Sequence, residues 1–423
     1  METSSLFTVA LNLESPWRVG GVNFVPTGDD AGSLELHIYL DYPAGSHFPC
    51  PTSGCASLHP VHDSEERTWR HLNFFQYKTF IHARLPRIRC KKHGAQTVQV
   101  SWARKGSGFT LLFEGFVLQL SQHQPVSSVA RVVDEHDTRL WRFIDYYTDA
   151  ARNFGNHSEV DKIGIDETCI SGKKYVTITV DLERNRVLHV TEGKDSAAVG
   201  RFSTDFQEHG GDPTKIECAT CDMSFAFLKG ISENFPLSRR IIDKFHVIKQ
   251  VNEAVDAVRK AEAKSKVGKK DLKKTKYLWL TNRENLSEEQ LCQQSRLLKK
   301  YPRLARSCAI RVEFQDIYKT SSDRNEAEQR LRKLCTRMMR SRLEQMKRLC
   351  RTIRYHWNEI LNYFDHQYTN AVLEGINNQV KLIKRRARGF RNLEYLKTMI
   401  FHVCGKFDYD AVLKNLNLVK VTR

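Results

Sequence analysis

Apolar and polar residues alternate in LELHIYLD, which puts Leu36, Ile38 and Leu40 on one side, and again in QTVQV at Val98 and Val100. A period of two marks half-buried strands, so residues 1–105 read as β-rich. From Thr110 the period lengthens. FTLLFEGFVLQL, SSVARVVDEHD and TRLWRFIDYYTDAA predict three short helices with breaks near residues 122–126 and 135–137. Such a trio fits a helix-turn-helix whose recognition helix starts near Thr138 and presents Arg139 and Arg142, although many three-helix units only pack.

The next stretch switches repeatedly between the two periods. KIGID, KKYVTITVDL and NRVLHVTEG read as strands, residues 196–208 as an amphipathic helix, TKIECATCD as a strand and residues 224–234 as a helix. SRRIIDKF then reads as a strand and residues 246–260 as a helix. Three strands, helix, strand, helix, strand, helix is the order of a ribonuclease-H-like α/β core. Residues 261–365 interrupt it with helices only. Their clearest signal is an apolar stripe at Met339, Leu343, Met346, Cys350, Ile353, Trp357 and Ile360, which helix packing explains without any chemistry. A final helix from Ala371 to about Lys384 carries Glu374 into the basic run LIKRRARGFR.

Three acids fall at telling points of that order: Asp166 at the end of the first core strand, Asp222 just after the fourth, and Glu374 in the helix after the insertion. Strands one and four are neighbours in such a sheet, so the two aspartates come side by side. Carboxylates that close repel in a low-dielectric cleft unless cations neutralise them. Magnesium, hard and oxygen-seeking, is the natural cation, with manganese as a substitute. Two such ions suit in-line phosphodiester chemistry. Taken singly, each acid is more simply a turn, cap or surface residue.

Charge points the same way. Lys+Arg 67 against Asp+Glu 49 leaves +18. The excess is concentrated in residues 259–276, 330–354 and 381–397, and although any one of these could be the solvated face of a helix, the three together make a polyanion the expected partner. Lys381, Lys384, Arg385, Arg386 and Arg388 would track a DNA backbone. With no secretory signal and no run of apolar residues long enough to span a bilayer, the expectation is a cytoplasmic, nucleoid-associated protein away from membranes.

Eleven scattered cysteines argue against a disulfide framework. Cys50 and Cys55, with Cys90 and His93, form two close pairs suited to structural zinc, while His47, His59, His62 and His82 are competing donors and isolated buried thiols are the other reading. Cys218 and Cys221 read as strand packing. Trp279 is either a core residue or an aromatic that stacks on an unpaired base.

KIGIDE, ECATCDM, IIDKFHVIKQVNEAV, KYLWLTNRENLSEEQ and TNAVLEGINNQVKLIKRRARGFRN together resemble the ISL-three family of bacterial insertion-sequence transposases. SGFTLLFEGFV resembles that family's DNA-binding half. The resemblance implies an Asp-Asp-Glu triad at Asp166, Asp222 and Glu374, a helical insertion, and an Asp-x-x-His element at Asp243 and His246 that supports the metal site or positions the scissile phosphate. A neutral core histidine is the other reading of His246. The family usually has cysteine where this chain has His93.

The combined expectation is a multidomain α+β protein in five segments. They are a zinc-binding β-rich module (1–105), a helix-turn-helix (106–155), a ribonuclease-H-like core (156–260), an all-helical insertion (261–365) and the end of the core with basic C-terminal helices (366–423). Its expected activity is Mg-dependent cleavage at terminal inverted repeats and joining of 3′-ends to target DNA, by a homodimer or larger assembly. A catalytically inactive DNA-binding regulator and a nuclease without strand transfer remain the alternatives.

Overall fold

The structure, a computed structural model, describes residues 3–27, 34–55, 57–172, 174–264, 266–366 and 371–415. Its contacts divide the chain into two units: Met1–Phe154 with Leu382–Val403 and Phe407–Arg423, and Gly155–Lys381 with Cys404–Lys406.

The first unit opens with helix α1 (Thr3–Ala10) and strands β1 (Arg18–Pro26), β2 (Leu34–Asp41), β3 (His47–Pro49), β4 (Leu58–Phe74), β5 (Tyr77–Cys90) and β6 (Gly94–Thr97). The strands form one sheet in the order β1-β2-β5-β4-β3, with β6 on β5. LELHIYLD is β2, and Leu36, Ile38 and Leu40 are buried as their alternation requires. Val98 and Val100 fall just past β6 rather than within it.

The helical trio follows as α2 (Leu111–Ser121), α3 (Val126–Val133) and α4 (Asp137–Asn153). Thr110 caps α2 by accepting the Phe113 N–H, and Asp134 closes α3 in the left-handed region at φ 50°. Buried Arg70 of β4 donates to the Val133 carbonyl, tying the turn between α3 and α4 to the sheet.

The second unit begins with β7 (Lys162–Ser171), β8 (Lys174–Asp181) and β9 (Arg186–Glu192), then α5 (Ser196–Glu208), β10 (Cys218–Cys221), α6 (Phe225–Asn234), β11 (Arg239–Ile242) and α7 (Lys244–Glu262). Strand order is β11-β10-β7-β8-β9. The pairs β7–β8 and β8–β9 are antiparallel, whereas β10 lies parallel to both β7 and β11. Asp181 shapes the turn into β9 by accepting the N–H groups of Glu183 and Arg184.

Helices α8 (Lys266–Asp271), α9 (Lys276–Leu280), α10 (Glu288–Lys300), α11 (Pro302–Thr320), α12 (Arg324–Arg340), α13 (Glu344–Tyr355) and α14 (Trp357–His366) come next, with a 3-10 turn at Arg283–Asn285 between α9 and α10. Their buried residues join those of the sheet and α7 in one continuous core. Helix α14 runs back along edge strand β11, where Asn362 donates to the Arg240 carbonyl and Glu359 pairs with Arg240. That cover protects an edge otherwise open to strand pairing. The apolar stripe from Met339 to Ile360 is shared by three helices, because the chain turns at Ser341–Leu343 with Arg342 at φ 59°.

The chain ends with α15 (Ala371–Arg386), α16 (Leu393–Cys404) and α17 (Tyr409–Asn415). Within the first unit, α16 packs on the trio: Tyr395 stacks on Trp141 with ring centroids 4.2 Å apart, Thr398 donates to Asp145, and His402 bonds Ser121. Residues 382–403 thus group with the helix-turn-helix region and not with the sheet that carries Asp166.

Candidate functional site

The parallel register builds one end of the second sheet. Cys218, Ala219 and Thr220 of β10 pair with Lys162, Ile163 and Gly164 of β7, so two residues further along both chains Asp222 comes level with Asp166. On the other side Cys221 pairs with Ile242, which sets Asp222 beside Asp243. Strands lie about 4.8 Å apart, so three aspartates line one level of three adjacent parallel strands. Asp166 is not at a strand tip as expected. β7 continues to Ser171 because β8 keeps pairing with it, and only its parallel half ends there.

Apolar packing holds this level in place. Ile163 and Ile165 are fully buried, and Gly164 between them lies close to two leucines: an added Cβ would lie 2.8 Å from Leu373 Cδ1 and 2.9 Å from Leu182 Cδ2, so those side chains would have to shift. Helix α15 therefore sits directly on β7. One turn on from Leu373, Asn377 donates from Nδ2 to Asp166 Oδ2 at 2.8 Å. Glu374 lies exposed in the first turn of α15, about one turn before buried Asn377.

The electrostatics are those of crowded acids. Burial pushes the Asp166 carboxyl up to about 6, with Glu167 and Asp222 adding repulsion and His246 and the Glu167 N–H opposing it. Glu167 is also raised, first by burial and then by Asp222, while Lys194, His246 and Lys249 pull it down. His246, at the start of α7, is raised chiefly by Asp243, whose Oδ2 lies 3.4 Å from its Nδ1, and further by Asp166 and Asp222. These acids shift His246 toward its protonated form, and burial opposes them.

Asp166 Oδ1 accepts the Glu167 N–H and Asp222 Oδ1 accepts the Ser224 N–H, so each carboxylate has one oxygen tied to backbone and lone pairs left over. Oxygen donors of this kind suit a hard divalent cation. Asp166, Asp222 and Glu374 are not drawn as tight as a metal cage. Among the described residues, the one set of three or more such side chains with donors within 4.8 Å of one another is Cys50, Cys55, Cys90 and His93.

That second cluster has the spacing zinc needs. Cys50 Sγ is 3.5 Å and Cys90 Sγ 3.6 Å from His93 Nδ1, and Cys55 Sγ is 4.0 Å from Cys90 Sγ. Tetrahedral bonds of about 2.3 Å to sulfur and 2.0 Å to nitrogen require ligand atoms roughly 3.5–3.8 Å apart. Backbone N–H groups of Lys92 and His93 bring the Cys90 thiol down to about 5, toward the ligating thiolate. Of the competing histidines, His59 bonds Ser57, His82 bonds His37 and Thr68, and His47 bonds the Gly45 carbonyl, while His62 is outside the cluster. The residues present fit structural zinc.

The remaining sequence candidates divide. Thr138 and Arg142 are exposed on α4. Arg139 is exposed as well, but its guanidinium pairs with Glu135 and stacks 4.5 Å over the Phe109 ring. Lys381, Arg385, Arg386 and Arg388 are exposed along and after α15, and Lys384 is half-buried. Trp279 is corrected: only 2% exposed, with Nε1 donating to Thr275 Oγ1 at 2.9 Å, it has no face to offer a base. Cys218 and Cys221 are buried on β10 and burial raises both thiols, as strand packing requires. Sequence reasoning missed Asn377. Its only sequence signal was an amide at i+3 from Glu374.

Residues 163–400, more than half of the chain, match the family described as "Transposase" in the ISL3 group. Residues 98–148 match the "Helix-turn-helix domain of transposase family ISL3", and 47–93 the "zinc-finger of transposase IS204/IS1001/IS1096/IS1165". The chain is 26% identical over 364 residues to the "Transposase for insertion sequence element IS1557" of Mycobacterium tuberculosis, covering 78% of this chain and 80% of that one. It is 25% identical over 386 residues to the "Transposase for insertion sequence element IS1001" of Bordetella parapertussis, covering 90% and 94%. With a zinc-ribbon cluster, a helix trio and a mixed sheet each falling in its matched segment, the chain belongs to the ISL3 family of insertion-sequence transposases.

Proposed function

We propose that the second unit is a ribonuclease-H-like catalytic core with a helical insertion, and that Asp166, Asp222 and Glu374 are its Asp-Asp-Glu triad. The observation that carries this is the level placement of Asp166 and Asp222 on adjacent parallel strands, under a helix that brings Glu374 within one turn of an Asp166 contact. The strand order, with three antiparallel strands continued by two parallel ones, supports the same reading.

Magnesium or manganese bound by these carboxylates, in the two-ion form, would activate a water or a 3′-hydroxyl and stabilise the leaving oxygen. His246, held toward its cationic form by Asp243, would face the scissile phosphate. The zinc module and α4 would read the terminal inverted repeats through Thr138 and Arg142. Lys381, Lys384, Arg385, Arg386 and Arg388 would contact phosphates. Joining two element ends calls for two catalytic sites, so a homodimer or larger assembly would form on DNA.

The test incubates the purified full chain with Mg²⁺, labelled element ends and a supercoiled target. Cleaved ends joined to target support the proposal, whereas nicked ends without joined product restrict the activity to a nuclease. Asp166→Ala should retain end binding and lose cleavage; an Asp166→Ala protein that still cleaves would remove the triad assignment.

A further inference from the structure

Asn377 is 8% exposed on an α15 face that is otherwise apolar, with Leu373, Ile376 and Val380 buried beside it. Its Nδ2 donates to Asp166 Oδ2, yet its Oδ1 is buried without a hydrogen-bond partner. Leaving an amide oxygen unsatisfied at that depth costs about 1–3 kcal/mol. An apolar side chain would avoid the cost and favour the helix more. Turning the amide over does not help, because its carbonyl would then face a carboxylate oxygen, acceptor against acceptor.

The charge around it explains why an amide suits the position. Asp166, Glu167, Asp222 and Asp243 already crowd this end of the sheet, so another carboxylate would add repulsion, and an apolar residue would leave Asp166 Oδ2 without its donor. A neutral oxygen adds a ligand or acceptor without adding charge. Magnesium keeps several of its waters, and their hydrogens need acceptors.

We propose that Asn377 is a positioning residue of the acidic site: its amide N–H fixes the Asp166 carboxylate, and its Oδ1 accepts from the hydration shell of the divalent ion. This rests on the triad reading above, and outer partners of metal ligands typically change metal affinity by about 10–100-fold.

The test uses the full chain with zinc retained in magnesium-free buffer, titrating Mg²⁺ by thermal shift and Mn²⁺ by electron paramagnetic resonance. Asn377→Ala should melt at or near the wild-type temperature before metal is added, and then need at least tenfold more metal to reach half its shift. Asn377→Asp should melt lower than wild type without metal and bind Mn²⁺ at least as tightly.

An Asn377→Ala midpoint within twofold of wild type, alongside an Asp166→Asn protein that no longer binds metal, would overturn the proposal and leave the triad standing. A wild-type midpoint in Asp166→Asn would sink the triad reading and this inference together. If Asn377→Ala fails to fold, Asn377→Leu, which also removes both the donor and the acceptor, takes its place, and a Mn²⁺ midpoint within twofold of wild type for it refutes the role.

Discussion

Removing the charge of Asp166 should stabilise the metal-free protein. Burial and the neighbouring acids lift this carboxyl from its ordinary value of 3.8 to about 6. The folded state therefore holds a proton that the unfolded chain has already released, and stability is lost as pH rises between about 4 and 6. A shift of about two pH units, at roughly 1.4 kcal/mol each, sets a ceiling near 3 kcal/mol at pH 8.

Asn at 166 escapes that cost but keeps only part of the hydrogen bonding from Asn377 and the Glu167 N–H, so the net gain should be about 1–2 kcal/mol. For a unit of this size that corresponds to a rise of roughly 3–6 °C. The assay is scanning calorimetry of the full chain in magnesium-free buffer with zinc retained, following the transition that moves when Mg²⁺ is added. Asp166→Asn should melt higher than wild type at pH 8, lose that advantage near pH 4, and show no Mg²⁺-dependent shift at any pH. A variant that melts lower at pH 8, or whose advantage is the same at both pH values, would refute the account of a carboxylate strained by burial and like charge.

Gly164→Ala should destabilise the second unit by about 1–3 kcal/mol in urea unfolding and reduce cleavage, since its Cβ would push Leu373 and Leu182 off β7. Cys90→Ser should release zinc, measured by mass spectrometry of the bound metal, and melt the first unit, whereas His93→Cys should keep one zinc per chain. Arg142→Ala should weaken binding to element-end DNA and lower the salt dependence by about one ion, while Arg139→Ala, already engaged by Glu135 and Phe109, should change the slope less.

The sequence was most legible where one face of an element is buried and the other is not. LELHIYLD alternates because β2 covers a core with Leu36, Ile38 and Leu40, so its type and its inward face both follow from the period. Where a contact spans the chain, no period reports it. Asn377 meets Asp166 across 211 residues, and the α16 face that stacks Tyr395 on Trp141 is apolar whatever it packs against. Periodicity also runs through breaks. The stripe from Met339 to Ile360 keeps its spacing across Arg342, since α13 resumes in line with the same core. Trp279 shows the converse, because a large aromatic in a basic segment has the same letters whether it is buried or faces solvent.

The acids that were legible owe their alignment to residues with no chemistry of their own. A one-residue slip of β10 along β7 would turn Asp222 to the opposite face and separate it from Asp166. It would also turn Cys218, Ala219, Thr220 and Cys221, all buried now, against different neighbours on both sides of the sheet. Because Cys218, Ala219, Thr220 and Cys221 are all buried and Gly164 lies close against Leu373 and Leu182, the register that buries them is the register that sets Asp166, Asp222 and Asp243 level. The alignment of these acids and the packing of the core are then one constraint. A substitution enlarging Ala219 should therefore weaken Mg²⁺ binding in a thermal-shift titration as well as lower stability, although Ala219 itself carries no charge.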